Sequence, residues 1–447
     1  MGGPSDAGAG LVVDRSVRPS GSVSVWKVLR ALIAVAAILV LVRGALSSQA
    51  PTETARSRLA TVVALAHYGT WHIDRPEGGP PISFEERTID KVKVGDRLIS
   101  SKPPMLSLAM TAEYLLIKAF FGWRLDNEEE AGRIVTLMSF TLVGIPYLIT
   151  LLFFDKTAAL ILSGMASRTV GLAALAFGTQ LWGYSTHINN HVPAACLLMI
   201  ALYFAIGLGS GKLSPRPWRF VMFGICGALA VTIDMPSGAF VALAGVYLLS
   251  RFPKQTLAWV GLGALPPLAI HFGVMIFVTG SPLPVQMNKD LYFFENSYWR
   301  NPRNVDALNE PIGTYLFHMT FGRAGLFALY PMTVLGLLAG ALATARRDPL
   351  FRPLLVIGLA GFIAISAYYA LSTNNYGGVA FGFRWYIIAM PVLLLMGTRC
   401  LSQCAKPWQW ALVGLLLAVS IFSGWQCSRH PWDPTAQWTT RIFGQAI

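Results

Sequence analysis

Uninterrupted apolar runs recur along this chain from residue 26 to residue 423, and several approach or exceed the roughly 17–25 residues that a helix needs to cross a bilayer. They define an all-α polytopic membrane protein. The expected spans are about 26–46, 134–154, 170–184, 192–208, 218–233, 239–249, 258–278, 326–345, 353–371, 385–395 and 411–423, about eleven in all. Hydrophobic side chains make up 54% of the 447 residues and charged ones only 13%, against about 25% in soluble proteins, so length here counts spans rather than soluble domains.

The net charge of +13 would suggest a nucleic-acid partner in a soluble protein. In a membrane chain it reads as the basic excess that sets topology, and no nucleic acid is expected. Lys212, Arg216, Arg219, Arg251, Lys254, Arg346, Arg347, Arg352, Arg399 and Lys406 all fall between spans on one side, which is therefore assigned to the cytoplasm. Residues 1–23 are rich in Gly, Ser and Pro and read as a flexible cytoplasmic tail; 24–425 form the transmembrane domain and 426–447 an exoplasmic tail. The run 26–46 is read as an uncleaved anchor, a cleaved signal peptide being the alternative. Five scattered cysteines, Cys196, Cys226, Cys400, Cys404 and Cys427, make neither a disulfide framework nor a metal site.

On the other face lie the loops 48–133, 186–191, 233–238, 280–323 and 372–384, where the unusual polar residues gather. In the first loop Leu59, Val62, Val63 and Leu65 recur at helical spacing with Arg56, Arg58 and His67 on a polar side, the pattern of a helix lying on the membrane surface. The stretch 104–121 is apolar enough to span but carries Glu113 and Lys118. Since the charge alternation requires 134–154 to begin outside, 104–121 is expected to lie in the outer leaflet or dip into it without crossing.

Several groups on this face could carry chemistry. Among the acids Glu53, Asp74, Glu85, Glu86, Asp90 and Asp96, Glu53 follows the first span closely and could deprotonate an acceptor hydroxyl; any one of them alone also reads as a solvated loop acid. Ser-Ser-Lys-Pro-Pro, 100–104, fixes the backbone ahead of a helix, so the Lys102 ammonium is well placed for a lipid phosphate; a snorkelling interfacial lysine is the alternative. The polar turn 184–193 offers His187, Asn190 and His191, whose spacing and Pro193 favour hydrogen bonding over metal ligation. The glycine-rich segment 374–386 brings Tyr376 and Arg384, the latter able to clamp a phosphate with two parallel bonds. His318 and Arg323 end the long loop 280–323, and Asp234, at a span boundary, should face a cavity rather than lipid.

In their order along the chain these features resemble the GT-C superfamily of polytopic glycosyltransferases that use polyprenyl-phosphate sugars, and within it the branch of protein mannosyltransferases and lipid A aminoarabinose transferases. The likeness runs from the first span to about Arg251. It includes Arg58-Leu-Ala in the first surface helix, Lys-Pro-Pro at 102–104, the pair Glu129 and Arg133, and the polar turn ending in Pro193; Asn-Tyr-Gly-Gly through Arg384-Trp is similar to a segment of bacterial members.

That resemblance implies inverting transfer of a hexose or pentose from a polyprenyl-phosphate donor to a lipid, glycan or protein acceptor, without cofactor or metal. The place implied is the exoplasmic side of a membrane, expected to be the bacterial inner membrane. It assigns Lys102 to the donor phosphate; the residues' own placement on this face adds Arg58, Asp90, His187, Asn190, His191, Arg323, Tyr376 and Arg384 as the expected substrate-binding set. The family places its catalytic acid in an Asp-Glu-x-Arg-Tyr-Ala pattern, but here Ala55 and Arg56 stand where those acids belong, which leaves Glu53 as the expected base. A lipid-linked-sugar transporter would instead keep polar residues near the membrane midplane, often within internal repeats. A non-catalytic lipid-binding protein is the other alternative.

Overall fold

The structure, a computed structural model, describes residues 22–46, 51–76, 79, 81–162 and 164–444. The tail expected over 1–23 lies, up to residue 21, outside the described residues. Helices dominate: α1 Ser22–Leu46, α2 Glu53–Tyr68, α3 Pro104–Phe121, α4 Glu128–Ile161, α5 Met165–Phe177, α6 His191–Gly209, α7 Pro217–Ile233, α8 Gly238–Arg251, α9 Pro253–Thr279, α10 Ile312–Thr320, α11 Pro331–Ala341, α12 Arg352–Ser372, α13 Met390–Leu401 and α14 Pro407–Arg429. Each of the eleven apolar runs coincides with helix, so the chain is an all-α polytopic membrane protein.

Local sequence sets the helix ends. Asn127 caps α4, accepting from the amides of Glu129 (3.1 Å) and Glu130 (3.3 Å), and three glutamates follow it at the positive end of the helix dipole. Thr52 caps α2 through the Ala55 amide, and Gly69 closes that helix in the left-handed region. Pro104 starts α3 where its missing N–H costs nothing.

Packing separates a buried centre from a lipid-facing rim. In α6, 78% of the apolar window is buried, against 11% in α1, so α6 is central and α1 peripheral. α6 packs against α4, α7 and α8, and α13 against α5 and α11. The α7–α9 contact requires glycine, since a Cβ on Gly263 would stand 2.2 Å from the Val221 carbonyl oxygen. At the end of the bundle remote from the first loop, Asp155 of α4 binds Arg30 of α1 and Arg168 of α5, the latter at 2.9 Å.

A second apolar cluster ties α2, α3 and the start of α4 together through Leu59, Val62, Met110, Tyr114, Ile134 and Met138. α3, expected not to cross, is long and apolar enough to do so; it packs on α2, α4, α7 and α9 and keeps Leu115, Leu116, Phe120 and Phe121 exposed. The first loop also contains an antiparallel hairpin, β1 Lys91–Val94 with β2 Arg97–Ser100, where the sequence suggested only a polar loop. Gly95 turns it at φ +59°, and its apolar face buries Val92 and Ile99 against Met275 of α9 and Val285.

Candidate active site

The hairpin's register builds the site. Lys91 pairs with Ser100, and the Ser101 amide donates to the Asp90 carbonyl at 3.1 Å, so Asp90 and Lys102 leave the ladder side by side. The Lys102 ammonium then meets the Asp90 carboxylate at 2.8 Å. α2 supplies the supporting face: Thr54 Oγ1 donates to Asp90 Oδ2 (3.0 Å), Ser57 Oγ donates to the Asp90 carbonyl (2.5 Å), and Arg58 follows four residues after Thr54 on the same side.

From Arg58 the polar chain continues into the bundle. Its Nη1 donates to the Thr54 carbonyl at 3.2 Å and its Nη2 to Asn190 Oδ1 at 3.0 Å; Asn190 lies 3.3 Å from His191 Nδ1, which is 2.7 Å from Asp234 Oδ2 at the end of α7. Arg384 interacts electrostatically with Arg58, Asp90, Lys102 and His191. Side chains from five separate segments therefore share one buried polar cluster, and Arg58 is fully buried.

The electrostatics of this cluster are unbalanced. Burial pushes the Arg58 guanidinium down to about 10, opposed mainly by Asp90. Burial also lowers Lys102, which Asp90 partly restores. Burial alone would raise Asp90, but the charge and hydrogen bond of Lys102, with Arg384 and Thr54, outweigh it and hold the carboxyl below its usual range. Three cations, Arg58, Lys102 and Arg384, face two carboxylates, Asp90 and Asp234, so with His191 neutral one positive charge is uncompensated. The buried Nε atoms of Arg58 and Arg384 also lack a hydrogen-bond partner.

Arg384 owes its position to an unusual backbone. Tyr376 (φ +51°), Gly377 (+84°) and Gly378 (+80°) are consecutive left-handed residues, and a Cβ on Gly377 would lie 3.2 Å from Arg384 Cγ. From the far end of the chain, Trp432 places its ring 5.3 Å beneath the guanidinium, and the Pro431 carbonyl accepts from the Phe381 amide (2.9 Å) and the Tyr184 hydroxyl (2.7 Å).

The other expected site residues lie elsewhere. Glu53 is at the start of α2 with its side chain 44% exposed, bound to Arg56 (2.9 Å) and to the Ile89 amide (3.2 Å). His187 is buried edge-on to Trp432, and burial pushes its imidazole down to about 4, so it is neutral. Arg323 and Tyr376 form a second cluster on Glu310: Arg323 Nη2 lies 2.6 Å from Glu310 Oε1, Tyr376 donates to the same carboxylate, and the Arg323 guanidinium sits 4.7 Å from the Tyr376 ring centre. Burial would raise Glu310, but these two donors outweigh it and keep it low.

An apolar crevice opens beside the site, lined by Thr61, Trp71, Lys102, Met275 and Val278. The long loop folds over the hairpin, with Trp299 Nε1 donating to the Ile89 carbonyl at 3.0 Å. Sequence reasoning assigned no place in the site to Thr54 or Trp432, and none to Glu310 in the second cluster. Only tertiary folding brings them there.

No family profile and no curated protein sequence matches the chain. Among solved structures, the crystal structure of ArnT from Cupriavidus metallidurans bound to undecaprenyl phosphate matches with a TM-score of 0.51 at 16% identity, over 89% of this chain and 63% of that one. The apo structure of the same ArnT gives 0.46 at 17% identity, over 88% and 62%. The chain thus spans less than two thirds of the length of ArnT. The lipid-bound comparison shows that the chain shares the fold of ArnT.

Proposed function

We propose that the chain transfers a hexose or pentose from a polyprenyl-phosphate donor to a lipid, glycan or protein acceptor at the end of the bundle that carries the first loop, the exoplasmic side of a bacterial inner membrane. The observation that carries this reading is the uncompensated positive charge of Arg58, Lys102 and Arg384, with Lys102 also lining a narrow apolar crevice between α3 and α9. A phosphodiester-linked donor brings one negative charge, which suits the cluster. The ArnT structure with undecaprenyl phosphate supports such a ligand.

In the proposed reaction the acceptor oxygen attacks the anomeric carbon as the bond from that carbon to the phosphate oxygen breaks. The electron pair stays on the phosphate, whose second negative charge develops beside Lys102 and Arg384. Preorganised cations at that point lower the barrier. Asp90 is committed to Lys102 and Thr54, so it orients the ammonium; Glu53, exposed at the start of α2 and bound to the Ile89 amide next to Asp90, takes the acceptor proton.

The test is sugar transfer by the protein in lipid nanodiscs from a radiolabelled polyprenyl-phosphate sugar. Lys102→Ala should lose transfer by about 100-fold or more, the scale of a lost transition-state donor. Transfer at the parent rate in correctly inserted Lys102→Ala protein would sink the reading. Glu53→Gln should lose about 10²–10⁴-fold; an unchanged rate in that variant, with Asp90→Asn inactive, moves the base to Asp90. Donor binding with no product in the parent protein would mark a lipid-binding protein instead.

A further inference from the structure

The cations of the active-site cluster have a counterpart that the proposed reaction leaves unused. His191 opens α6 and Asp234 follows the end of α7, both at the first-loop end of the bundle. Their side chains are only 6% and 7% exposed, and His191 Nδ1 lies 2.7 Å from Asp234 Oδ2. Asn190 Nδ2 is farther from the same nitrogen, at 3.3 Å, so the shorter, charge-assisted bond to Asp234 decides the tautomer. An ionised carboxylate offers only lone pairs, so the neutral imidazole carries its proton on Nδ1 and presents a bare lone pair at Nε2.

The remaining acceptors of this dyad are unoccupied. His191 Nε2 and Asp234 Oδ1 bond to no described residue, and both keep open surface, unlike the enclosed Nε atoms of Arg58 and Arg384. Tyr369 of α12 stands within electrostatic range of Asp234, and its hydroxyl is open in the same way. Arg384, which acts electrostatically on His191, has both Nη atoms unbonded, and the Lys102 ammonium bonds only Asp90. One side of the cluster thus offers donors suited to an anion. The other offers acceptors, which fit a hydroxyl and repel a second anion.

We infer that the His191–Asp234 dyad holds the donor sugar: His191 Nε2 and Asp234 Oδ1 each accept from a sugar hydroxyl while the phosphate stays on Lys102 and Arg384. This rests on the donor-phosphate reading above, and it gives the choice of sugar to α6 and α7 rather than to the first loop. A donor lacking the matching hydroxyl leaves a buried acceptor unpaired and is rejected on that ground.

The test is binding of polyprenyl-phosphate mannose, glucose and arabinose to the full chain in nanodiscs, each against polyprenyl methyl phosphate, a diester of the same charge without a sugar. At least one sugar lipid should bind the parent protein about tenfold tighter than the methyl diester, the scale of one hydrogen bond to a charged group. A monodeoxy analogue of that sugar should lose most of the gain. His191→Asn keeps a donor for Asp234 but has no atom at the Nε2 position, so it should bind the sugar lipid and its deoxy analogue alike. His191→Gln restores an acceptor there and should recover part of the preference. Equal affinity of the parent for the methyl diester and all three sugar lipids would overturn the inference, and so would a His191→Asn protein that binds both kinds of lipid more weakly by the same factor. Sugar preference without transfer to any acceptor would strike the transfer reading and leave the subsite standing; transfer without the preference would do the reverse.

Discussion

Lys102 and Asp90 hold each other at 2.8 Å with side chains only 19% and 13% exposed, so each is expensive to keep without the other. Lys102→Met should destabilise the protein by about 3 kcal/mol and Asp90→Asn by a similar amount, while the double variant recovers most of the loss. Thermal or denaturant unfolding of the four proteins reads this cycle; strictly additive losses would mean that the pair contributes no coupling. The pH dependence follows from Asp90. Its folded carboxyl titrates below the usual value near 4, so its stabilising effect is fully present above about pH 4 and is lost as pH falls through the lower folded value. Asp90→Asn should therefore flatten the acid limb of the stability curve, and an unchanged limb would place the titrating group elsewhere.

The hairpin and the glycine loop are the two elements that turn scattered residues into a site, and they differ in how far the sequence announced them. Lys-Val-Lys-Val-Gly-Asp-Arg-Leu-Ile alternates with period two around a glycine turn, a legible hairpin signal lost inside a loop that was read for its acids. The three glycines after Asn375 were legible as a place of close backbone approach, but what Gly377 and Gly378 approach, the Arg384 side chain, depends on a segment about fifty residues later, and Gly382 approaches Gln180. Gly377→Ala should cost about 1–2 kcal/mol for the left-handed backbone and also displace Arg384. Gly211 is a matched control, with φ +72° and nothing within 4 Å of its would-be Cβ. Both variants should lose stability alike in thermal unfolding, but only Gly377→Ala should weaken donor binding. Equal donor affinity in the two would show that the loop does not position Arg384.

At the scale of the whole molecule, apolar length made the long spans readable, because lipid imposes the same demand on each of them: of the seven described helices long and apolar enough to cross, six are among the expected spans and the seventh is α3. The candidate cations were readable one at a time, Lys102 from its rigid proline turn and Arg384 as a phosphate clamp, whereas their placement with Asp90 and Asp234 was not, since those contacts join loops far apart in sequence. The chain's last described segment is the clearest case. Read as a tail, it instead packs across the site: Gln437 accepts from the Gly382 amide at 2.8 Å, Thr439 donates to the Arg323 carbonyl at 2.5 Å, and Trp432 lies under Arg384. These bonds fasten both the Arg384 loop and the Arg323–Glu310 cluster to the bundle, while the spans need none of them. Removal of 430–447 should therefore leave a protein that inserts and purifies as a folded bundle but transfers sugar at least about tenfold more slowly, since one misplaced clamp residue costs that much or more. Trp432→Leu should reproduce part of the loss and Trp432→Phe less, because a phenyl face still attracts the guanidinium. Parent rates in the truncated, folded protein would mean that Arg384 is held by its own loop alone.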